Sequence, residues 1–288
     1  MILDFLSPAK INIHLQVTGK RDDGYHDLLM LMCPISLYDR IRVDTDQSVY
    51  SVTCAHPDVP EDESNIAVKA ALLFRDRLGT GRPVSIHIDK NIPVGAGLGG
   101  GSSNAASILK GLNAHSGHPF SPSELMDMGA ELGSDVPFFI HSKPAWVQGR
   151  GEKIDLIEKI RCYHVVLLFP GIHVSTPAVY KKLNFGLTKK EKKTKSPLLN
   201  KGLVDPVNHL FNDLEKPAIE ICSEISRLKD VLAIHGAEGV LMSGSGSSVF
   251  GLYSDASAAR KAYDTLESYA AHHDGCGNWS VFLAEMMD

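Results

Sequence analysis

Pro93-Val94-Gly95-Ala96-Gly97-Leu98-Gly99-Gly100-Gly101-Ser102-Ser103-Asn104-Ala105-Ala106 is the stretch around which the 288-residue chain is organised. Its five glycines, at 95, 97, 99, 100 and 101, remove most Cβ atoms and let backbone N–H groups approach a bound group closely. Ala105, Ile108, Leu109 and Leu112 then recur at helical spacing, so a helix is expected to open near Ser102. Its first N–H groups have no partner inside the helix and lie at the positive end of the helix dipole. Upstream, Val84, Ile86 and Ile88 alternate with Ser85, His87 and Asp89, the pattern of a half-buried strand. Strand, glycine loop and helix start together make an anion cradle, and phosphate is the usual occupant.

Two rival phosphate-loop readings fit less well. Gly95, Gly97 and Gly100 match G-x-G-x-x-G, but the dinucleotide fingerprint needs an acidic residue about 20 residues on, at the end of the next strand. Here that region is Ser121-Pro122-Ser123-Glu124, a capping box that opens a helix with Leu125, Met128 and Leu132 on its core side. No Gly-Lys-Ser/Thr follows the loop, which disfavours a P-loop of the Walker type.

Composition narrows the partners. A net charge of −5 supplies no global basic field, so nucleic acid is not an expected partner and anion binding must be local. No apolar run approaches the roughly 20 residues of a membrane span. Met1 to Leu6 lacks the basic start of a secretory signal. The five cysteines are odd in number and never in C-x-x-C, which suggests neither a disulfide framework nor a zinc site and fits a reducing cytoplasm.

Along the chain, Ile11, Ile13, Leu15 and Val17 alternate with Lys10, Asn12, His14 and Gln16, a strand with one polar face. Taken alone that face reads as solvated; beside a phosphate site, Lys10 and Asn12 become rigidly held polar groups. A turn at 19–24 leads to Tyr25 and His26. Short strands are expected near 40–44 and 49–54, then a helix from Ser64, as N-cap, to Leu78, with Asn65 in its first turn. After Gly133 comes Ser134-Asp135-Val136-Pro137, where Asp135 is either a helix cap or a carboxylate partly buried among Val136, Phe138, Phe139 and Ile140. A buried strand is expected at 163–170, and a helix beginning at Ser175-Thr176-Pro177 carries Tyr180. The eight lysines of 181–201 read as a solvated surface. Helices near 214–228 and 256–269 flank a strand–turn–strand unit, 239–242 and 248–253, whose Ser243-Gly244-Ser245-Gly246-Ser247 turn is built of small residues. The strand 279–284 closes the pattern, and a domain boundary is expected near 150–162, giving domains 1–155 and 156–288.

Pro93 to Ser103 resembles the ATP-binding motif of the superfamily of galactokinase, homoserine kinase, mevalonate kinase and phosphomevalonate kinase. Pro8-Ala9-Lys10-Ile11-Asn12 with Gly19 to His26, Gly133 to Phe139, and Met242 to Phe250 are similar to segments of the 4-diphosphocytidyl-2-C-methyl-D-erythritol kinase family, in the same order. The resemblance implies an α+β, two-domain small-molecule kinase fold. Its cleft would lie between an N-terminal mixed α/β domain and a C-terminal α+β domain. The implied activity is ATP-dependent phosphorylation of an alcohol bearing a cytidine diphosphate, on the non-mevalonate route to isoprenoid precursors. The alternatives are another kinase of the superfamily and a non-catalytic nucleotide-binding protein; a dehydrogenase of Rossmann type comes third.

For such a transfer Asp135 is the candidate base and Lys10 its cationic neighbour, roles the resemblance shares. Asn65, Pro93, Val94, Gly95, Ala96, Gly97, Leu98, Gly99, Gly100, Gly101, Ser102 and Ser103 fall on the ATP side, Asn65 as an adenine contact. The resemblance implies that Asn12, Tyr25, His26 and Tyr180 fall on the substrate side, the last three matching family residues placed around the cytosine. Mg²⁺ is expected with the polyphosphate, with no protein ligand assigned.

Overall fold

The computed structural model describes residues 1–183, 202–272 and 279–288, so most of the lysine-rich stretch lies outside the described residues. The chain forms two compact units. The first comprises Met1–Ala9, Tyr38–Val94 and Gly99–Ser142; the second comprises Lys10–Leu37, Gly95–Leu98 and Lys143–Asp288. The units therefore interleave along the chain, whereas the sequence reading places consecutive domains 1–155 and 156–288, with the boundary after Gly149-Arg150-Gly151-Glu152. The reason lies in two 19-residue strands, β1 (Ile2–Lys20) and β2 (His26–Asp44), each of which contributes residues to both units.

In the first unit β3 (Ser51–Cys54) runs parallel to β4 (Ser85–Asp89), which pairs antiparallel with the last residues of β2, Ile41 opposite Ile88 and Val43 opposite Ile86. Val52, Cys54, Ile86, Ile88, Ile41 and Val43 are buried while their neighbours in sequence face out, as the period of two requires. Four helices complete the unit: α1 (Ile66–Leu78), α2 (Gly100–His115), α3 (Pro122–Leu132) and α4 (Val136–His141). The α1–α2 pair shares a core of Ala67, Ala70, Ala71 and Phe74 against Ala105, Ile108, Leu109 and Leu112. The capping box of α3 forms as read: the Ser121 hydroxyl accepts from Glu124 N and the Glu124 carboxylate accepts from Ser121 N.

Two helix starts differ from the sequence reading. Asn65, not Ser64, caps α1, because its Oδ1 accepts from Ala67 N at 2.9 Å. The helix after the glycine loop opens at Gly100 rather than near Ser102, with Gly99 as N-cap at φ +70°, so the last two glycines sit inside the first turn.

In the second unit β5 (Ala145–Gly149) pairs with β2 at 28–32 and with β6 (Lys153–Leu156), both antiparallel. A separate antiparallel sheet has β7 (His164–Phe169) and β10 (Val249–Tyr253) as its central strands, with β9 (Gly239–Met242) and β11 (Ser280–Glu285) outside them. Val165, Val166, Leu167 and Leu168 are all buried, the continuous apolar pattern of a strand covered on both faces. The two-residue strand β8 (Phe211–Asn212) lies parallel to β1 at His14 and Leu15. Of the helices, α5 (Thr176–Lys182) begins where Ser175 and Pro177 place it. The single helix expected near 214–228 is two: α6 (Glu215–Ile219) and α7 (Glu224–Ile234). The apolar spacing of Ile225, Leu228 and Leu232 belongs to α7 alone, which packs with α8 (Ala256–His272) against the sheet. Among the described residues no helix is long and apolar enough to cross a membrane.

Candidate active site

Along the glycine loop the backbone alternates in hand: φ is +62° at Gly95, +78° at Gly97 and +70° at Gly99. Three successive carbonyls are taken by the protein. Ala96 O accepts from Ser248 N, Gly97 O from the Ser243 hydroxyl at 2.9 Å, and Leu98 O from Lys10 N at 3.0 Å. The N–H groups of Gly95 to Gly99 have no partner among the described residues, and those of the first turn of α2 have none within the helix. A run of such N–H groups in alternating hand is a form of backbone able to take an anion. Gly97 admits no other residue: a Cβ would stand 2.0 Å from the carbonyl oxygen of Ser243, on a backbone of the left-handed region.

The side chains of the loop divide sharply. Ala96 and Leu98 are buried and serve through their backbone only. Ser103 also points inward: its hydroxyl accepts from the Ser7 hydroxyl at 2.8 Å, and its N–H donates to Gly99 O. Ser102 and Gly101 remain accessible at the helix start. Gly100 is glycine for an internal reason, since a Cβ there would come within 2.8 Å of Lys90 Nζ.

On β1 the first two residues of the polar face, Lys10 and Asn12, are buried. Lys10 is 4 % exposed and Asn12 1 %, and the Lys10 ammonium donates to Asn12 Oδ1 at 2.5 Å. Burying them is made possible by the turn after β9: the Ser243 hydroxyl accepts from Asn12 N, and Gly244 leaves room beside Lys10 Nζ. Elsewhere, Asp135 holds the N-cap position of α4 yet makes no side-chain cap hydrogen bond, so the cap reading does not account for its carboxylate. Asn65 has both ends engaged, Oδ1 in the cap and Nδ2 donating to Pro60 O at 2.7 Å.

The aromatic positions lie in the second unit. His26 and Tyr180 stack with centroids 4.7 Å apart and planes 15° from parallel. Burial and the nearby Lys20 lower the pKa of His26, so at neutral pH its ring is uncharged and offers one donor and one acceptor. Tyr25 is exposed at the end of the β1–β2 hairpin, and the Arg150 guanidinium lies 3.8 Å from its ring centre.

Residues 65–143 match the family described as the GHMP kinases N terminal domain, and residues 198–272 match the GHMP kinases C terminal family. The 4-diphosphocytidyl-2-C-methyl-D-erythritol kinase of Syntrophotalea carbinolica is 44% identical over 282 residues, covering 98% of both chains. That of Syntrophus aciditrophicus is 40% identical over 287 residues, covering 100% of both. A crystal structure of 4-(cytidine 5'-diphospho)-2C-methyl-D-erythritol kinase superposes with a TM-score of 0.78 at 33% identity, covering 99% of this chain and 100% of the other. The chain belongs to the GHMP kinases, in their 4-diphosphocytidyl-2-C-methyl-D-erythritol kinase family. It is therefore an ATP-dependent phosphotransferase with the α+β fold of that family.

Three residues of this GHMP kinase support the site without having drawn notice in the sequence. Asn212 donates through Nδ2 to the carbonyls of Met242 and Gly244, at 2.9 and 2.8 Å, and so holds the small-residue turn that meets Gly97. The His173 ring lies where a Cβ on Gly95 would fall. Arg150 covers Tyr25, and its Nε is buried without a partner among the described residues. Each acts across a long separation in sequence, and none lies in a motif.

Proposed function

We propose that this GHMP kinase transfers the γ-phosphoryl group of ATP to the 2-hydroxyl of 4-diphosphocytidyl-2-C-methyl-D-erythritol, a step of the non-mevalonate route to isoprenoid precursors. The observation that carries the ATP half is the glycine loop, whose carbonyls face the protein and whose N–H groups are left for an anion. The substrate half is supported by relatives of that name spanning nearly the whole chain. In this reading the loop amides and the first turn of α2, with Ser102, hold the phosphates, while Asp135 accepts the proton of the attacking hydroxyl. Lys10, rigid on its strand and tethered to Asn12, meets the negative charge of the phosphoryl group in transit. Asn12, Tyr25, His26 and Tyr180 bind the substrate, with the neutral imidazole of His26 suited to the donor and acceptor edge of cytosine and the rings to its faces.

Mg²⁺ accompanies the nucleotide, where it neutralises polyphosphate charge. Among the described residues no group of three or more His, Cys, Asp or Glu side chains is placed to hold a metal ion. The cytoplasm suits the unpaired thiols of Cys33, Cys54, Cys162 and Cys222.

The test is ATP consumption by the purified protein with the cytidine-diphosphate-linked alcohol, with mevalonate, with homoserine and with no acceptor. Turnover with the first alone is expected. Turnover with another alcohol would assign a different substrate, and nucleotide binding without turnover on any of them would favour a non-catalytic protein.

A further inference from the structure

The residue that most firmly shapes the loop lies outside it. Asp39, on β2, is 0% exposed, and its carboxylate accepts four hydrogen bonds. Oδ1 takes the backbone N–H groups of Asn91 and Ile92, each at 2.8 Å. Oδ2 takes the Lys90 ammonium at 2.6 Å and the Asn104 amide at 2.9 Å. Lys90 also donates to Ile92 O at 2.8 Å, and its side chain is 6% exposed. From Asn104 the network continues to the Ser7 hydroxyl and on to Ser103.

These partners are the two ends of the glycine loop. Asn91 and Ile92 lead directly into Pro93; Ser103 and Asn104 belong to the first turns of α2. A core needs no such device, because a buried ion pair is costly to desolvate and apolar side chains of similar volume often serve stability equally well. What this pair adds is geometry: charge-assisted bonds fix the entry and the exit of a segment whose N–H groups are unpaired and whose glycines carry no side chains to hold them.

We propose that Asp39, through Lys90, Asn91, Ile92 and Asn104, is a positioning residue for the phosphate-binding loop, setting the aim of its N–H groups at the nucleotide. The inference rests on the reading of that loop as the ATP site. Fully buried and bonded on both oxygens, Asp39 acts through these partners. Its loss is expected to weaken nucleotide binding without changing recognition of the phosphoryl acceptor.

The experiment compares wild type, Asp39→Asn and Asn104→Ala. Asn104→Ala leaves the Asp39–Lys90 pair intact and removes the amide that bonds Asp39 and the Ser7 hydroxyl, so it keeps the proposal testable if Asp39→Asn fails to fold. Affinity for a non-hydrolysable ATP analogue is measured by titration well below each melting temperature, alongside KM for ATP, KM for the cytidine-diphosphate-linked alcohol, and kcat. Expected are about a tenfold loss of analogue affinity for Asp39→Asn, about threefold for Asn104→Ala, parallel rises in the KM for ATP, and an acceptor KM within twofold of wild type. Folded variants with unchanged analogue affinity, or equal losses for both ligands, would overturn it. A wild type that binds the analogue but phosphorylates no alcohol would remove the proposed function and leave this inference standing if the variants still bind more weakly. A wild type that binds no nucleotide would overturn both.

Discussion

In the proposed function, Asp135 and Lys10 are the residues that carry the chemistry. Because the Asp135 side chain makes no cap hydrogen bond, Asp135→Asn removes a charge and a proton acceptor while leaving α4 its backbone start. Turnover is expected to fall by about 10²–10⁴-fold, the contribution of a positioned base, with a melting temperature within a few degrees of wild type. Near-normal turnover in the folded variant would end the catalytic assignment. Lys10→Met should also depress turnover, and the double variant should lose less than the product of the two, since both act on one transition state. On the substrate side, Tyr180→Ala removes the ring stacked on His26 and should raise the acceptor KM by roughly one to two orders of magnitude, the scale of ~1–3 kcal/mol for a stacked base. The KM for ATP should hardly move; an equal rise in both would show a structural effect.

The elements that were legible in the sequence are those whose determinants are local. The capping box of α3 spans four residues and formed as read; the alternation of β4 and the apolar run of β7 likewise needed no knowledge of distant partners. The alternation of β1 could not show what buries Lys10 and Asn12, because what covers them is a turn that begins 231 residues after Asn12. The Asp39 network was invisible for the same reason, with partners 51 to 65 residues apart. For the loop and α2 as one element, the informative substitution is at Gly101. Gly97 would clash with Ser243 and Gly100 with Lys90, so changing either confounds folding with binding. Gly101 has helical backbone, is exposed, and a Cβ there would meet only Ile66 at an ordinary 3.7 Å. Gly101→Val should leave the melting temperature within about 2 °C of wild type and lower ATP affinity at least tenfold, because a branched side chain would stand where phosphate oxygens approach the N–H groups. A titration showing unchanged affinity would place the phosphates elsewhere.

At the scale of the whole molecule, the interleaving of the units escaped the sequence because composition marks linkers, whereas here two continuous strands pass from one unit to the other. The histidines show how such burial reaches global behaviour. His14, His26, His141 and His209 all have pKa values lowered from 6.5, in each case first by burial. His14 is the clearest: its ring packs against Trp146 and Phe211, Nδ1 meets His209 O at 3.2 Å, and Nε2 is buried without a partner among the described residues. A group whose folded pKa lies below its unfolded value binds more protons when unfolded, so stability rises with pH across the interval between the two values. Above pH 6.5 both states are neutral and the effect vanishes; as pH falls below 6.5 the unfolded chain takes up protons that the folded one refuses. The melting temperature should therefore be flat from pH 7 to 8 and fall by at least about 2 °C between pH 6.5 and 5, a shift that corresponds to about 1 kcal/mol or more in a protein of this size. His14→Gln cannot titrate, so its decline over the same interval should be shallower than that of wild type, whatever the offset in absolute stability. A wild-type melting temperature that held or rose from pH 6.5 to 5, or identical slopes for both proteins, would show that the buried histidines do not set the acid limit.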